Sequence, residues 1–467
     1  MSTINNKIEN TDKSKYSLKI HVSYSLGSFF DAIFAASFIV RVIYYYENEL
    51  FLSIVLVGIA FISYGFWNMI NDPLIGWITD KGTRFTKRWG RRFPWFLIGS
   101  ISMIFIYVLI YTVPFDNQLG MFIWLLVIIC LYELCYSLWQ VSWLSLYPDK
   151  FRTHKERMRI GALTTMFTQT GTVLGVVISP LFITYGDVES YIIAAIVVAM
   201  IGLVIFLLII PGMREDEDLI MRELKNIQEQ KEKKDSFIQI VKFSIKDKNF
   251  VVYVLWYLAF YMIPLLMMAS LPFWTIYIIK TKNPMTETML AGSFIGGALL
   301  SIPIWLKIGR KIGSRKMFIY GTLMASLAFI PLLFVSELII TLILLFIIGV
   351  FYGSSWTVLY PGFSDVIDGL VIKSGKRREG AYTGIRTFIG RLSFVLQAAI
   401  FAIVHTTTNY EAGATTQTPL ALWGIRIIMV LAPMLFLFFG FLIMAIFYDL
   451  TPERVNANKT ILKERNL

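Results

Sequence analysis

Charge is what this chain has least of. Only 16% of its 467 residues are Asp, Glu, Lys or Arg, against about 25% in an ordinary soluble domain. So few charged side chains cannot clothe a water-facing surface of this size. Cysteine is almost absent. Cys130 and Cys135 fall in one apolar run, five residues apart, a poor spacing for pairing with each other. That excludes a disulfide scaffold. His21, His154 and His405 are too scattered to form a ligand cluster, so no metal centre is expected. A phosphate loop is missing as well. The stretch from Gly369 to Arg377 comes nearest, but it has five residues between its glycines rather than four, and Arg377 where Ser or Thr belongs. With no nucleophile–base pair and no cofactor motif, the chain is expected to be neither an enzyme nor a cofactor carrier. Residues 1–18 lack the charged-then-apolar-then-cleavage order of a signal peptide and are expected to form a cytosolic tail.

Apolar sequence is abundant instead. Hydrophobic residues make up 56% of the chain and the mean hydropathy is +0.65. Runs of about 20 apolar residues, the length that crosses a bilayer core, recur throughout; 191–211, YIIAAIVVAMIGLVIFLLIIP, is one. The runs predict twelve helices, near 20–46, 50–79, 93–114, 119–147, 158–185, 190–211, 249–279, 286–306, 316–335, 337–361, 380–405 and 420–448. The expected organisation is an all-α integral membrane protein with an N-terminal tail (1–19), a six-helix bundle (20–211), a charged helix-containing linker (212–248), a second six-helix bundle (249–448) and a C-terminal tail (449–467).

The net charge of +12 is unevenly spread. One loop holds Lys81, Arg84, Lys87, Arg88, Arg91 and Arg92, and a second holds Lys307, Arg310, Lys311, Arg315 and Lys316, whereas the alternate loops carry Glu47, Glu49, Asp116, Asp187, Glu189 and Glu411. This is the positive-inside pattern of a multi-pass cell-membrane protein. It places both termini in the cytosol and argues against a nucleic-acid partner. The expected partners are the lipid bilayer and a small-molecule solute, and the chain is expected to act as a monomer.

Against this apolar background a few charges stand inside helices: Asp31, Asp72, Glu133, Arg386 and Arg391. A charge at the centre of a spanning helix costs about 2.5–3.5 kcal/mol on insertion scales and usually marks a substrate or ion path. Glu133, Ser137 and Gln140 follow a helical spacing and share one face. Glycine-containing basic turns also recur, after Gly76-Trp77-Ile78-Thr79-Asp80 and at Lys307-Ile308-Gly309-Arg310, which suggests a duplicated six-helix unit.

Three motifs carry a family resemblance. They are Asn71-Asp72-Pro73 through Asp80, closing with Arg88-Trp89-Gly90-Arg91-Arg92; Pro148-Asp149 with Glu156-Arg157; and Ser364-Asp365 through Asp368, followed by Arg377-Arg378-Glu379. In this order they resemble the glycoside–pentoside–hexuronide:cation symporters, the melibiose permease-like branch of the major facilitator superfamily. The resemblance implies the major facilitator fold and a substrate site between two halves. It implies symport of a sugar, glycoside or similar polar organic solute with H⁺ or Na⁺. An amphipathic lipid such as a lysophospholipid, carried by the same fold, is the alternative.

The resemblance also implies a site. Asn71, Asp72 and Ser137 match cation ligands, while Asn68 stands where the family carries a second Asp. That loss weakens a Na⁺ site. A lone buried carboxyl group could instead carry a proton, since burial favours its neutral form. Trp356 matches a sugar-site Trp, and Arg391 stands at a family Lys, where attraction to Asp72 would link the halves. Asp31, Glu133, Gln140 and Thr165 are the remaining candidate solute contacts. Asp80, Arg88, Arg91, Arg92, Asp365, Arg377 and Glu379 are candidate gating residues. Several have plainer readings. Glu133 and Arg41 could extend outward, Arg386 could snorkel to the membrane surface, and Trp139 and Trp143 read as packing.

Overall fold

The computed structural model describes residues 16–79, 86–151, 153–221, 237–375 and 379–465. Among these there is no strand. The helices are α1 (Leu18–Tyr44), α2 (Ile54–Thr79), α3 (Phe93–Tyr111), α4 (Gln118–Lys150), α5 (His154–Phe182), α6 (Val188–Met213) and α7 (Lys248–Phe273). Then come α8 (285–312) and α9 (314–328), joined as Met285–Ala328, followed by α10 (Leu338–Ser374), α11 (Glu379–Thr407), α12 (Pro419–Phe447) and the short α13 (Pro452–Glu464). Among the described residues eleven continuous segments are long and apolar enough to span a bilayer, and one of them, Met285–Phe334, holds both α8 and α9. Large apolar side chains stand exposed along them, among them Phe105, Leu119, Ile193, Leu300 and Ile339. Lipid is the solvent that suits such a surface.

Local chemistry sets the helix ends. Asn117, Thr153, Asp187, Asp247 and Thr418 each accept a backbone N–H in the first turn of the helix that follows. The Thr153 hydroxyl also donates to the Glu156 carboxylate at 3.0 Å, completing a capping box. Gly375, with φ of 66°, closes α10. Two helices outrun the sequence expectation. Pro148 and Pro361 sit inside α4 and α10, which continue to Lys150 and Ser374, so the Ser364–Asp368 motif is helical. The expected turn at 306–316 is also corrected. The helix breaks only at Gly313 (φ 79°, ψ 165°), where a β-carbon would lie 2.9 Å from Pro452 Cγ.

Two compact units emerge. The first comprises Met1–Tyr45 with Ile70–Lys233, and the second Tyr46–Met69 with Lys234–Leu467. In the first, Gly171 and Gly175 of α5 let the backbone of α1 approach at Phe29 and Ile33, the small-residue packing typical of membrane helices. In the second, Gly297 and Gly349 do the same between α8 and α10. The first turns of α2 also belong to the second unit. Gly58 and Gly65 lie directly under Ala402 and Val395 of α11, and Tyr64 meets Phe394 edge-on.

α1 and α7 end alike. Each runs into a π-helical turn, Tyr45–Glu49 and Trp274–Ile278, and each is followed by a non-glycine residue with positive φ, Phe51 (55°) and Lys280 (61°). Both features recur at the same 229-residue offset. The duplication read from the basic turns is thus repeated in backbone geometry.

Candidate functional site

In the first unit α2 and α4 bring three of the expected cation ligands together. Ser137 Oγ donates to Asp72 Oδ1 at 2.6 Å and accepts from Asn71 Nδ2 at 2.8 Å. Asn71 Nδ2 donates also to the Glu133 carbonyl at 3.0 Å. Asn71 and Ser137 are fully buried. With both amide bonds directed at α4, Asn71 Oδ1 is left enclosed without a donor. An enclosed carbonyl oxygen beside a carboxylate and a hydroxyl is the donor set that hard cations take. Asn68 falls in the second unit, where its amide makes a long 3.5 Å contact to Tyr64 and its Oδ1 has no donor.

One to two turns along α4, a second polar group forms around Asp31 of α1. Tyr136 donates to Asp31 Oδ1 at 2.5 Å, Gln140 Nε2 donates to the same oxygen at 3.0 Å, and Gln140 Nε2 lies 2.7 Å from the Tyr136 hydroxyl. Tyr136 was not singled out from the sequence. Its position one turn before Gln140 was the available signal. Glu133 is 2% exposed and Arg41 1% exposed, so neither extends outward. Thr165 is exposed and its hydroxyl donates to the Gly161 carbonyl at 2.9 Å on its own helix. Trp139 and Trp143 are buried, the latter donating to the Tyr24 carbonyl at 3.0 Å.

The basic motif before α3 is organised by a residue that the sequence reading passed over. The Glu215 carboxylate accepts the backbone N–H groups of Arg91 (3.0 Å), Arg92 (2.6 Å) and Phe93 (3.1 Å). These are the first amides of α3, where negative charge is favoured. Gly90, at φ 87°, leaves room for that carboxylate, since a β-carbon there would come within 2.2 Å of it. Arg92 Nη1 donates to Thr79 Oγ1 at 2.9 Å, and Arg88 is exposed.

In the second unit Trp356 of α10 packs edge-on against Tyr352, and Arg391 of α11 is half-buried. Ser314 donates to Asp365 at 3.2 Å, and Lys459 stands 3.9 Å from the same carboxylate. A buried pair within this unit joins the turn residue Glu47 to α11: His405 Nδ1 lies 2.7 Å from Glu47 Oε1, with the imidazole stacked on Tyr410 at 4.3 Å. Arg386 does not snorkel. It is 8% exposed and ringed by aromatic side chains. Asp80 and Arg377 lie outside the described residues, as does the side chain of Glu379.

Comparison with known proteins accounts for this arrangement. The family model described as MFS/sugar transport protein matches residues 23–452. The sodium-dependent lysophosphatidylcholine symporter 1 of Xenopus tropicalis is 22% identical over 436 residues, covering 85% of this chain and 80% of that one. The glucuronide carrier protein homolog of Escherichia coli K12 is 23% identical over 444 residues, covering 93% of each. The crystal structure of the nucleoside transporter NupG superposes with a TM-score of 0.59 at 12% identity, covering 95% of this chain and 99% of that one. That likeness fixes the fold, the major facilitator arrangement of twelve membrane helices. The chain belongs to the MFS/sugar transport protein family, whose members are membrane transporters and not enzymes.

Proposed function

We propose that this protein takes up a sugar, glycoside or similar polar organic solute across the cell membrane together with Na⁺, bound at Asp72, Asn71 and Ser137. The observation that carries the reading is the enclosed, donorless Oδ1 of Asn71 beside the Ser137–Asp72 pair. A proton needs only the carboxyl group. A metal cation needs several oxygens at once to replace its water, and the unfilled carbonyl supplies one of them. The Asp31–Tyr136–Gln140 cluster supports a polar cargo, because it offers both acceptor and donor atoms to hydroxyl groups. Kinship to a glucuronide carrier homolog and the family description point the same way. The basic loops support an orientation with both termini in the cytosol.

The test is uptake into proteoliposomes under an imposed Na⁺ or H⁺ gradient, over a panel of sugars, glycosides and lysophospholipids. Sugar accumulation driven by the Na⁺ gradient is expected. Asp72→Asn should lower it roughly ten-fold or more, as expected for losing a charged ligand, while leaving the protein folded in the membrane. Accumulation that follows the H⁺ gradient alone would remove Na⁺ from the reading. Uptake of a lysophospholipid but of no sugar would change the cargo.

A further inference from the structure

Arg386 is a buried cation, and among the described residues two of its three guanidinium nitrogens have no hydrogen-bond partner. It sits seven residues into α11, about 10 Å along the helix axis, and is 8% exposed. Its guanidinium carbon lies 4.3 Å from the ring centre of Phe363, 4.8 Å from that of Tyr257 and 5.9 Å from that of Tyr360. These rings attract a cation through their faces and present no carboxylate or carbonyl to its N–H groups. Nε and Nη1 are enclosed without a hydrogen-bond partner. The phenol of Tyr253 donates to the Leu359 carbonyl at 2.7 Å, and its oxygen is the side-chain hydrogen-bond partner of Arg386. Among the described residues no carboxylate pairs with Arg386. One turn earlier on the same face of α11, Tyr382 is fully buried and its hydroxyl also lacks a partner.

A guanidinium that merely reached for the membrane surface would have wet nitrogens. Here the stacking partners take the plane and leave N–H groups of Nε and Nη1 without an acceptor. A carboxylate or phosphate oxygen would satisfy such groups by charge-assisted hydrogen bonds. An intramembrane charge held in this state is expected to meet its counter-charge from a ligand.

We propose that Arg386, supported by Tyr257 and Phe363 and with the Tyr382 hydroxyl as a further donor, anchors an anionic group of the transported solute. That group is a carboxylate or a phosphate. The inference rests on the transport reading but not on the coupling ion.

Equilibrium binding to the purified full-length protein in detergent tests it. Two matched probe pairs separate the sources of the charge. 4-Nitrophenyl β-D-glucuronide against 4-nitrophenyl β-D-glucoside tests a carboxylate, and oleoyl-lysophosphatidic acid against monoolein tests a phosphate. In at least one pair the anionic member should bind roughly ten-fold or more tightly, the scale of a charge-assisted hydrogen bond. Arg386→Gln should erase that preference while leaving the neutral probe's affinity unchanged. Arg386→Lys should retain part of it, because the charge stays and the fork is lost, and it serves as the working variant should the Gln protein fail to elute as a monodisperse species. The Asp72→Asn protein should keep the full preference, so failure of the cation site would be seen separately. Equal binding within both pairs by the wild-type protein would overturn the proposal, as would an undiminished preference in Arg386→Gln.

Discussion

Removing the Glu215 carboxylate should loosen the start of α3. Three backbone amides, of Arg91, Arg92 and Phe93, point at its two oxygens. A hydrogen bond to a charged group contributes about 1.5–3 kcal/mol when buried. Glu215 is half-buried, so about 1 kcal/mol apiece is the better figure, and Glu215→Ala should lose about 3 kcal/mol. In a chain of this length that corresponds to roughly 3–6 °C in Tm, measurable by thermal melting of the detergent-purified protein. Glu215→Gln keeps one acceptor oxygen and should lose about half as much. Gly90→Ala should destabilise by a second route into the same contact. Its positive φ costs an L-residue about 1–2 kcal/mol, and the new methyl group would displace the carboxylate. Because both changes break the same three bonds, the double variant should fall well short of the sum. Strict additivity, or a Glu215→Ala protein that melts with the wild type, would refute the argument.

Two further outcomes are expected. At Gly65 a β-carbon would stand 2.4 Å from Val395 Cγ2, so Gly65→Ala should slow transport and lower Tm. Val395→Ala, which removes the obstructing methyl groups, should restore both in the double variant, and failure of that rescue would mean the close approach is not the cause. His405→Ala leaves the buried Glu47 side chain without its hydrogen-bond partner, a change of about 1–3 kcal/mol for an unsatisfied buried group. It should reduce thermal stability and transport rate more than Glu47→Gln does, since glutamine keeps a side-chain oxygen and nitrogen that can still bond the imidazole.

The sequence was most legible where the bilayer does the selecting. Apolar runs marked the spanning helices, and the basic turns marked the duplication, because water and lipid sort residues by simple composition. Helix ends were less legible. The expected ends at 147 and 361 fall beside or at Pro148 and Pro361, yet the helices run on to Lys150 and Ser374, since membrane helices tolerate an internal proline. Asn71, Asp72 and Ser137 were found by motif, and the structure brings them within hydrogen-bonding distance. Tyr136, Glu215 and the His405–Glu47 pair were missed. Each acts through a partner far away in the chain, at separations of 105, 122 to 124 and 358 residues. Periodicity within one helix carries no information about such pairs. Arg386 was noticed but underrated, because its distance from the helix end suggested a snorkelling side chain. Only the surrounding rings show otherwise.

The paired π-turns at the ends of α1 and α7 also order events in time. A π-turn arises when one extra residue is accommodated in a helix, and here each is followed, two residues on, by a non-glycine residue in the left-handed region. Two separate insertions, each landing at the same place and each acquiring the same uncommon backbone conformation, would be a costly coincidence. The economical history is one insertion in an ancestral six-helix protein, copied when its gene doubled.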